Sequence, residues 1–150
     1  FAIIGDYDEK ILSIYTNIMT ESEFIILNNN AKLIYHNSTI PLNFIGLTNT
    51  DNIDELYNPE LFNITLIHQP DLATKITKPT VIFAGHSLGG QIKIPFYGGI
   101  RKIDGAKIYI NDYYELQNSQ IYISNGLGTQ DYSFRLFNKP SITLYRLYKD

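Results

Sequence analysis

The apolar run Thr80-Val81-Ile82-Phe83-Ala84 empties directly into Gly85-His86-Ser87-Leu88-Gly89-Gly90, and no other junction constrains this chain as strongly. A short run rich in β-prone residues, bounded by Pro79 and Gly85, reads as a buried strand, and the glycines demand a sharp turn at its carboxyl end. Two incompatible chemistries compete for that turn. In one, Ser87 is the nucleophile of a G-x-S-x-G elbow. In the other, His86 is a metal ligand on a loop.

The elbow needs a helix after the serine and a histidine later in the chain. Gln91-Ile92-Lys93-Ile94-Pro95-Phe96 alternates polar and apolar residues, which is strand periodicity, and Pro95 would interrupt a helix soon after its start. The three histidines are His36, His68 and His86, and none follows Ser87. A serine hydrolase therefore ranks third among the readings.

The metal reading rests on a layout repeated three times. Phe1-Ala2-Ile3-Ile4 leads into Gly5-Asp6-Tyr7-Asp8, Asn63 to Ile67 leads into His68-Gln69-Pro70-Asp71, and Thr80 to Ala84 leads into Gly85-His86. Each is a short strand with a metal-capable side chain just past its carboxyl end. Ligands of open α/β sheets bind at that edge, so Asp6, His68 and His86 are expected to converge. Imidazole nitrogen with carboxylate oxygen suits zinc, manganese or iron better than calcium. His36, beside a turn with no neighbouring donor, reads as an ordinary surface histidine.

These segments, in this order, resemble the calcineurin-like metallophosphoesterases, and within them the bacterial branch of YkuE-type and lipid-A-precursor phosphodiesterases. Gly5 to Asp8 is similar to the Gly-Asn-His-Asp/Glu block. His68-Gln69-Pro70-Asp71 is similar to the single-histidine block, and Gly85 to Ile92 to the Gly-His-x-His-Gly-Gly-Gln block. Ile121 to Thr129 and Pro140 to Leu144 resemble the branch's closing strands and glycine-rich turn. The resemblance implies an α/β/β/α sandwich, mostly β in its second half, and a single domain over 1–150. It implies a hydrolase of phosphate monoesters or diesters that uses divalent Mn, Fe or Zn, with His68, His86 and Asp6 holding the second metal of a pair.

It also implies departures. Tyr7 stands where the family places a catalytic histidine, and a phenol with a reference pKa near 10 is a poor proton donor at neutral pH. Leu88 stands where the family has another metal-binding histidine. Asp6 replaces asparagine, keeping an oxygen donor and adding a charge. The family's Asp-x-His and Gly-Asp blocks would fall upstream of Phe1, so residues 1–150 are expected to hold one weakly bound metal at most. A non-catalytic binding module on the same fold is accordingly the second reading. An uncovered apolar face, suited to an oligomer or a partner chain, is expected as well.

Composition narrows the partners. The 150 residues carry a net charge of −3 with scattered basic residues, which argues against nucleic acid. There is no cysteine, and no apolar run approaches the ~20 residues needed to span a bilayer.

Ile11, Ile14, Tyr15, Ile18 and Met19 recur at helical spacing, predicting an amphipathic helix from about Asp8, its expected cap, to Glu21 with that stripe in the core. Strands are predicted over 24–27, 32–35, 42–47, 107–110, 120–124, 134–138 and 142–147. Short helices are predicted from Thr50-Asp51 to Leu56 and from Pro70 to Ile76, with Asp71 in a structural role. Gly126 and Gly128 are expected to shape a tight turn, and Tyr97, Tyr113, Tyr114 and Tyr132 to offer a possible groove lining. Asn37-Ser38-Thr39 and Asn63-Ile64-Thr65 fit the glycosylation pattern, which short sequences also meet by chance.

Overall fold

A computed structural model describes residues 1–36, 39–48 and 53–148; the Asn37-Ser38 pattern and the Thr50-Asp51 cap lie outside the described residues. The first strand, β1 (Ala2–Ile3), is followed by a 3-10 turn and by α1 (Leu12–Glu21). Next come β2 (Ile26–Leu27), β3 (Asn30–Ile34), β4 (Leu42–Leu47), α2 (Ile53–Leu56) and β5 (Phe62–Ile67). A 3-10 segment at Pro70–Lys75 leads to β6 (Val81–Ala84), the short hairpin β7 (Lys93–Ile94) and β8 (Gly98–Gly99), then β9 (Tyr113–Glu115) and β10 (Gln120–Ile123). The fold is mixed α/β.

Six strands form the main sheet in the order β3-β4-β5-β6-β10-β9. The inner four run parallel, and the two edges are antiparallel. Parallel strands covered on both faces are apolar almost throughout, and β4 and β5 follow that rule. Ile45, Leu47, Ile67, Ile82, Ala84, Ile121 and Ile123 form the core with Ile53 of α2 and Ala73 and Ile76 near the 3-10 segment. Alternation sends Phe83 and Tyr122 to the other face, where Tyr145 packs on both at ring distances of 4.5 and 5.2 Å. Buried polar groups along the strands are paired: Thr65 and Thr80 share a 2.8 Å hydrogen bond, and the Asn43 amide donates to Asn63; Asn125 Oδ1, beyond β10, is buried without a partner. Asn63 is thus 3% exposed inside a strand, which removes it as a glycan acceptor.

A separate two-stranded parallel ribbon, β1–β2, carries the amino-terminal residues. It lies against the main sheet where Phe1 stacks on Phe44 at 4.8 Å and Leu27 meets Gly46. A Cβ on Gly46 would stand 2.2 Å from Leu27 Cβ and 2.8 Å from its carbonyl oxygen, so this contact admits glycine alone.

Four expectations are corrected. The α1 stripe is not core: Ile11, Ile14 and Ile18 are each about half exposed, because α1 rests on the narrow ribbon, where only Tyr15 and Met19 are half-buried. Residues 107–110 form no strand, since the amide groups of Lys107, Ile108 and Tyr109 all donate to the Asp71 carboxylate. Residues 134–138 make one bridge, Leu136 to Ile92, and a left-handed Phe137 ends the extended run. Residues 142–147 have strand alternation and join no sheet; Tyr145 docks while Ile142 and Leu144 stay exposed. The second half is therefore more irregular than its periodicity suggests. Among the described residues no helix is long and apolar enough to cross a membrane.

Replacing Gly46 with alanine is expected to destabilise the fold by about 3 kcal/mol, since backbone must move to admit the methyl group. A urea titration comparing midpoints at equal slope measures this.

Candidate metal centre

Register brings the two histidines together. Ile67 pairs with Ala84 at the ends of β5 and β6, so His68 and Gly85 leave the sheet level with one another. The Gly85 amide donates to the His68 carbonyl at 3.3 Å. His86 then takes a left-handed φ of 64°, inside a turn closed by the Ser87 amide on the Gly85 carbonyl. A non-glycine residue held there stores strain, and such strain concentrates at functional sites. The turn folds the His86 ring edge-on against His68, with centroids 4.7 Å apart.

Asp6 arrives from the ribbon, not from the main sheet. The crevice is therefore shared between two β units instead of lying on one sheet edge. Gly5 permits this approach, because a Cβ there would sit 2.7 Å from His68 Cε1 and 2.9 Å from Nδ1. Asp8 closes the turn by accepting the Gly5 amide at 2.9 Å, which is a different role from the expected cap of the following helix.

The three side chains converge as a group able to hold a metal ion. Asp6 Oδ2 lies 3.6 Å from His86 Nδ1 and 3.9 Å from His68 Nε2, and the two nitrogens are 3.0 Å apart. Ligands ~2.1 Å from a tetrahedral ion stand about 3.4 Å from each other, a spacing these distances bracket. Hydrogen bonding sets the donor atom of His86. His86 Nε2 lies 2.7 Å from the carbonyl oxygen of Asp104. A carbonyl cannot donate, so Nε2 carries the proton and Nδ1 presents its lone pair to the centre. The His86 side chain is 11% exposed and Asp6 46%, which leaves the group open on the carboxylate side.

Supporting contacts fix the other members. Gln69 Nε2 donates to both Asp6 oxygens, at 3.0 and 3.1 Å. Gly105, at φ 82°, abuts the Gln69 side chain so closely that a Cβ would lie 2.5 Å from its Cδ. Gln91, fully buried, donates to the carbonyls of Tyr132 and Phe134 and accepts from Arg101 and the Gln130 amide. Gln69 and Gln91 lie inside the motif blocks, but the sequence assigns no supporting role to them or to Gly105. The Asp104-Gly105 pair is a turn signal, but nothing local says that this turn reaches His86.

Other expected residues fall elsewhere. Tyr7 is 60% exposed, and its hydroxyl accepts a 2.6 Å hydrogen bond from Gln130. Leu88 brings no ligating atom and has a φ of 51°. Ser87 is 3% exposed; its Oγ accepts the Gly89 amide and donates to the Ile110 carbonyl, and a 3-10 turn follows it. His36 is exposed and outside the cluster. Gly126 has the expected left-handed φ. The four tyrosines do not share a groove: Tyr113 meets Tyr122 and Tyr132 meets Phe134 with tilted rings, Tyr114 packs edge-on against Tyr109, and Tyr97 is exposed.

A cleft of about 210 Å³ opens beside the group, lined by Asp6, Glu9, Thr48, His68 and Gln69. A larger hollow of about 690 Å³ lies at the amino-terminal ends of β5, β6 and β10, with Glu115 its one carboxylate. The ligating chemistry belongs to the smaller cleft.

This chain is 32% identical to the uncharacterized metallophosphoesterase YkuE of Bacillus subtilis, over 148 positions covering 90% of the chain and 50% of that protein. It is 26% identical to the uncharacterized metallophosphoesterase YkoQ of the same organism, over 98% of the chain and 59% of that protein. The chain is thus similar to part of two proteins named metallophosphoesterases. It spans about half the length of the curated relatives it matches. No protein-family model matches it, and no solved structure does.

Burial, and then the neighbouring His86, push the His68 pKa below its ordinary 6.5, against smaller opposing effects of Asp6 and Asp8. The folded state thus favours the neutral ring that a metal requires. The unfolded chain binds the proton more readily, so this contribution is complete above pH 6.5 and is lost as pH falls through the lower folded pKa. Metal-free protein is expected to lose stability from pH 7.5 to 5.5, and His68→Asn to flatten that slope. Thermal melts across the interval test it; an unchanged slope would refute the assignment to His68.

Proposed function

We propose that Asp6, His68 and His86 hold one divalent cation of the zinc, manganese or iron kind, at a site that acts on phosphate esters. The convergence of three donor atoms from three distant segments, with the His86 tautomer directed at their centre, is the observation that carries this reading. Kinship supplies the substrate class. We read the main sheet and the ribbon as part of the calcineurin-like α/β/β/α sandwich.

A bound cation would supply Lewis-acid stabilisation of charge developing on a phosphoryl oxygen. The chain's own residues position and bind. Gln69 holds the Asp6 carboxylate by both oxygens, which keeps it from swinging into solvent. Tyr7 accepts from Gln130, so its hydroxyl proton is free to donate to a phosphate oxygen. Its role is orientation of substrate more than proton transfer.

A second reading, a binding module without turnover, draws on Leu88 and Tyr7 at the family's histidine positions. It also draws on the presence of a single three-ligand group among the described residues. The Ser87 alternative has the least support, given the burial of that hydroxyl and the engagement of both His86 nitrogens elsewhere.

Cobalt(II) titration followed by visible absorption, paired with turnover of a bis-aryl phosphodiester, tests these readings. Asp6→Ala, His68→Ala and His86→Ala are each expected to weaken cobalt binding by more than the ~10–100-fold that loss of a mere supporting partner costs. Unchanged affinity in all three would refute the site. Binding without turnover would select the second reading.

A further inference from the structure

We infer that Asp71 is a positioning residue for His86, acting through the backbone of residues 104–109. This inference rests on the proposed metal site and concerns how that site is built. Asp71 is three residues beyond His68 and touches neither histidine. Its carboxylate accepts three consecutive backbone amides, Lys107 through Oδ2 and Ile108 and Tyr109 through Oδ1 at 3.0 Å each. Its own amide donates to the Gly105 carbonyl at 2.9 Å. One residue therefore grips both sides of a short loop.

The gripped loop carries two contacts to the centre. Asp104 offers the carbonyl that keeps the proton on His86 Nε2. Gly105 lies against Gln69, the residue that holds Asp6. The loop joins no sheet; an isolated bridge between Ile103 and Ala106 closes its tip, and residues 107–110 are held by Asp71 and not by a neighbouring strand. A carboxylate accepting three amides is far stiffer than solvent would be, and charge-assisted bonds of this kind are roughly twice as strong as neutral ones. Without that grip the Asp104 carbonyl is released, and His86 is free to exchange between its two neutral tautomers. Only one of them presents Nδ1 as a ligand.

Asp71→Asn keeps the side-chain shape and one acceptor oxygen, while its amide cannot accept from Lys107. The measurement is the His86 tautomer by long-range nitrogen–proton correlation NMR on metal-free protein, alongside cobalt(II) titration. With three histidines in the chain, assignment by single substitution is direct. Wild-type protein is expected to show one Nε2–H tautomer at His86. Asp71→Asn is expected to show a mixture, with cobalt affinity reduced about tenfold and an unchanged far-ultraviolet circular dichroism spectrum. A folded variant with the wild-type tautomer and affinity would overturn the inference. So would a wild-type His86 carrying its proton on Nδ1, which decides the matter even if the variant fails to fold. Wild-type protein that binds no cobalt yet shows the expected tautomer change would sink the metal reading and leave the positioning role standing.

Discussion

Parallel pairing of β5 with β6, in the register that sets Ile67 beside Ala84, is the constraint from which the rest of the centre follows. Two strands running the same way release their next residues at the same edge. His68 is one residue past its strand and His86 two past its own. A slip of one residue would turn every core side chain of a strand to the wrong face, so burial holds the register firmly. Ile64, Ile67, Ile82 and Ala84 supply that burial. The Thr65–Thr80 hydrogen bond, with Thr80 also donating to the Asn63 carbonyl, locks the opposite end of the pair. The chemistry at one edge is thus set by packing along the strands.

Each of the three candidate ligands then depends on further contacts, mostly outside the sheet. Asp6 depends on the close approach of Leu27 to Gly46, which seats the ribbon, and on the bare Cα of Gly5, which lets the chain pass over His68. His86 depends on a strained turn and on a carbonyl from a loop held by Asp71. The network around Gln91 plays a similar part for the far wall, tying residues 130–134 to the turn and, through Gln130, reaching Tyr7. Main-sheet packing gives the site its frame, and glycines and side-chain amides determine its detailed shape.

The convergence of Asp6, His68 and His86 was legible because it needs only two local facts: where a short apolar run ends, and which side chain follows it. Glycine and proline mark those ends clearly. What the pattern did not reveal depends on partners remote in sequence. The α1 stripe has helical spacing, but spacing does not say how wide the surface beneath it is, and a two-stranded ribbon covers little of it. Residues 107–110 have strand composition, yet a carboxylate 36 to 38 residues away in sequence takes their amides first. At 142–147 alternation gives the capacity to pair, and pairing also needs an available edge.

The departures at Tyr7 and Leu88 point the same way when read physically. Leu88 has φ of 51° and its side chain lies toward Gly126, so the turn keeps its left-handed shape without the imidazole that a second cation would require. A ligand set of one carboxylate and two imidazoles neutralises only part of a divalent charge. On the proposed reading a phosphate ester would bring the remaining negative charge with it, and the exposed side of Asp6 leaves room for that approach. Tyr7, fixed by Gln130, would on that reading add a neutral hydrogen-bond donor where a charged donor would compete with the cation for the same oxygens. Tyr7, Leu88 and the aspartate at position 6, which all differ from the family pattern, are therefore compatible with the proposed single-cation site, in which Asp6, His68 and His86 would be the ligands.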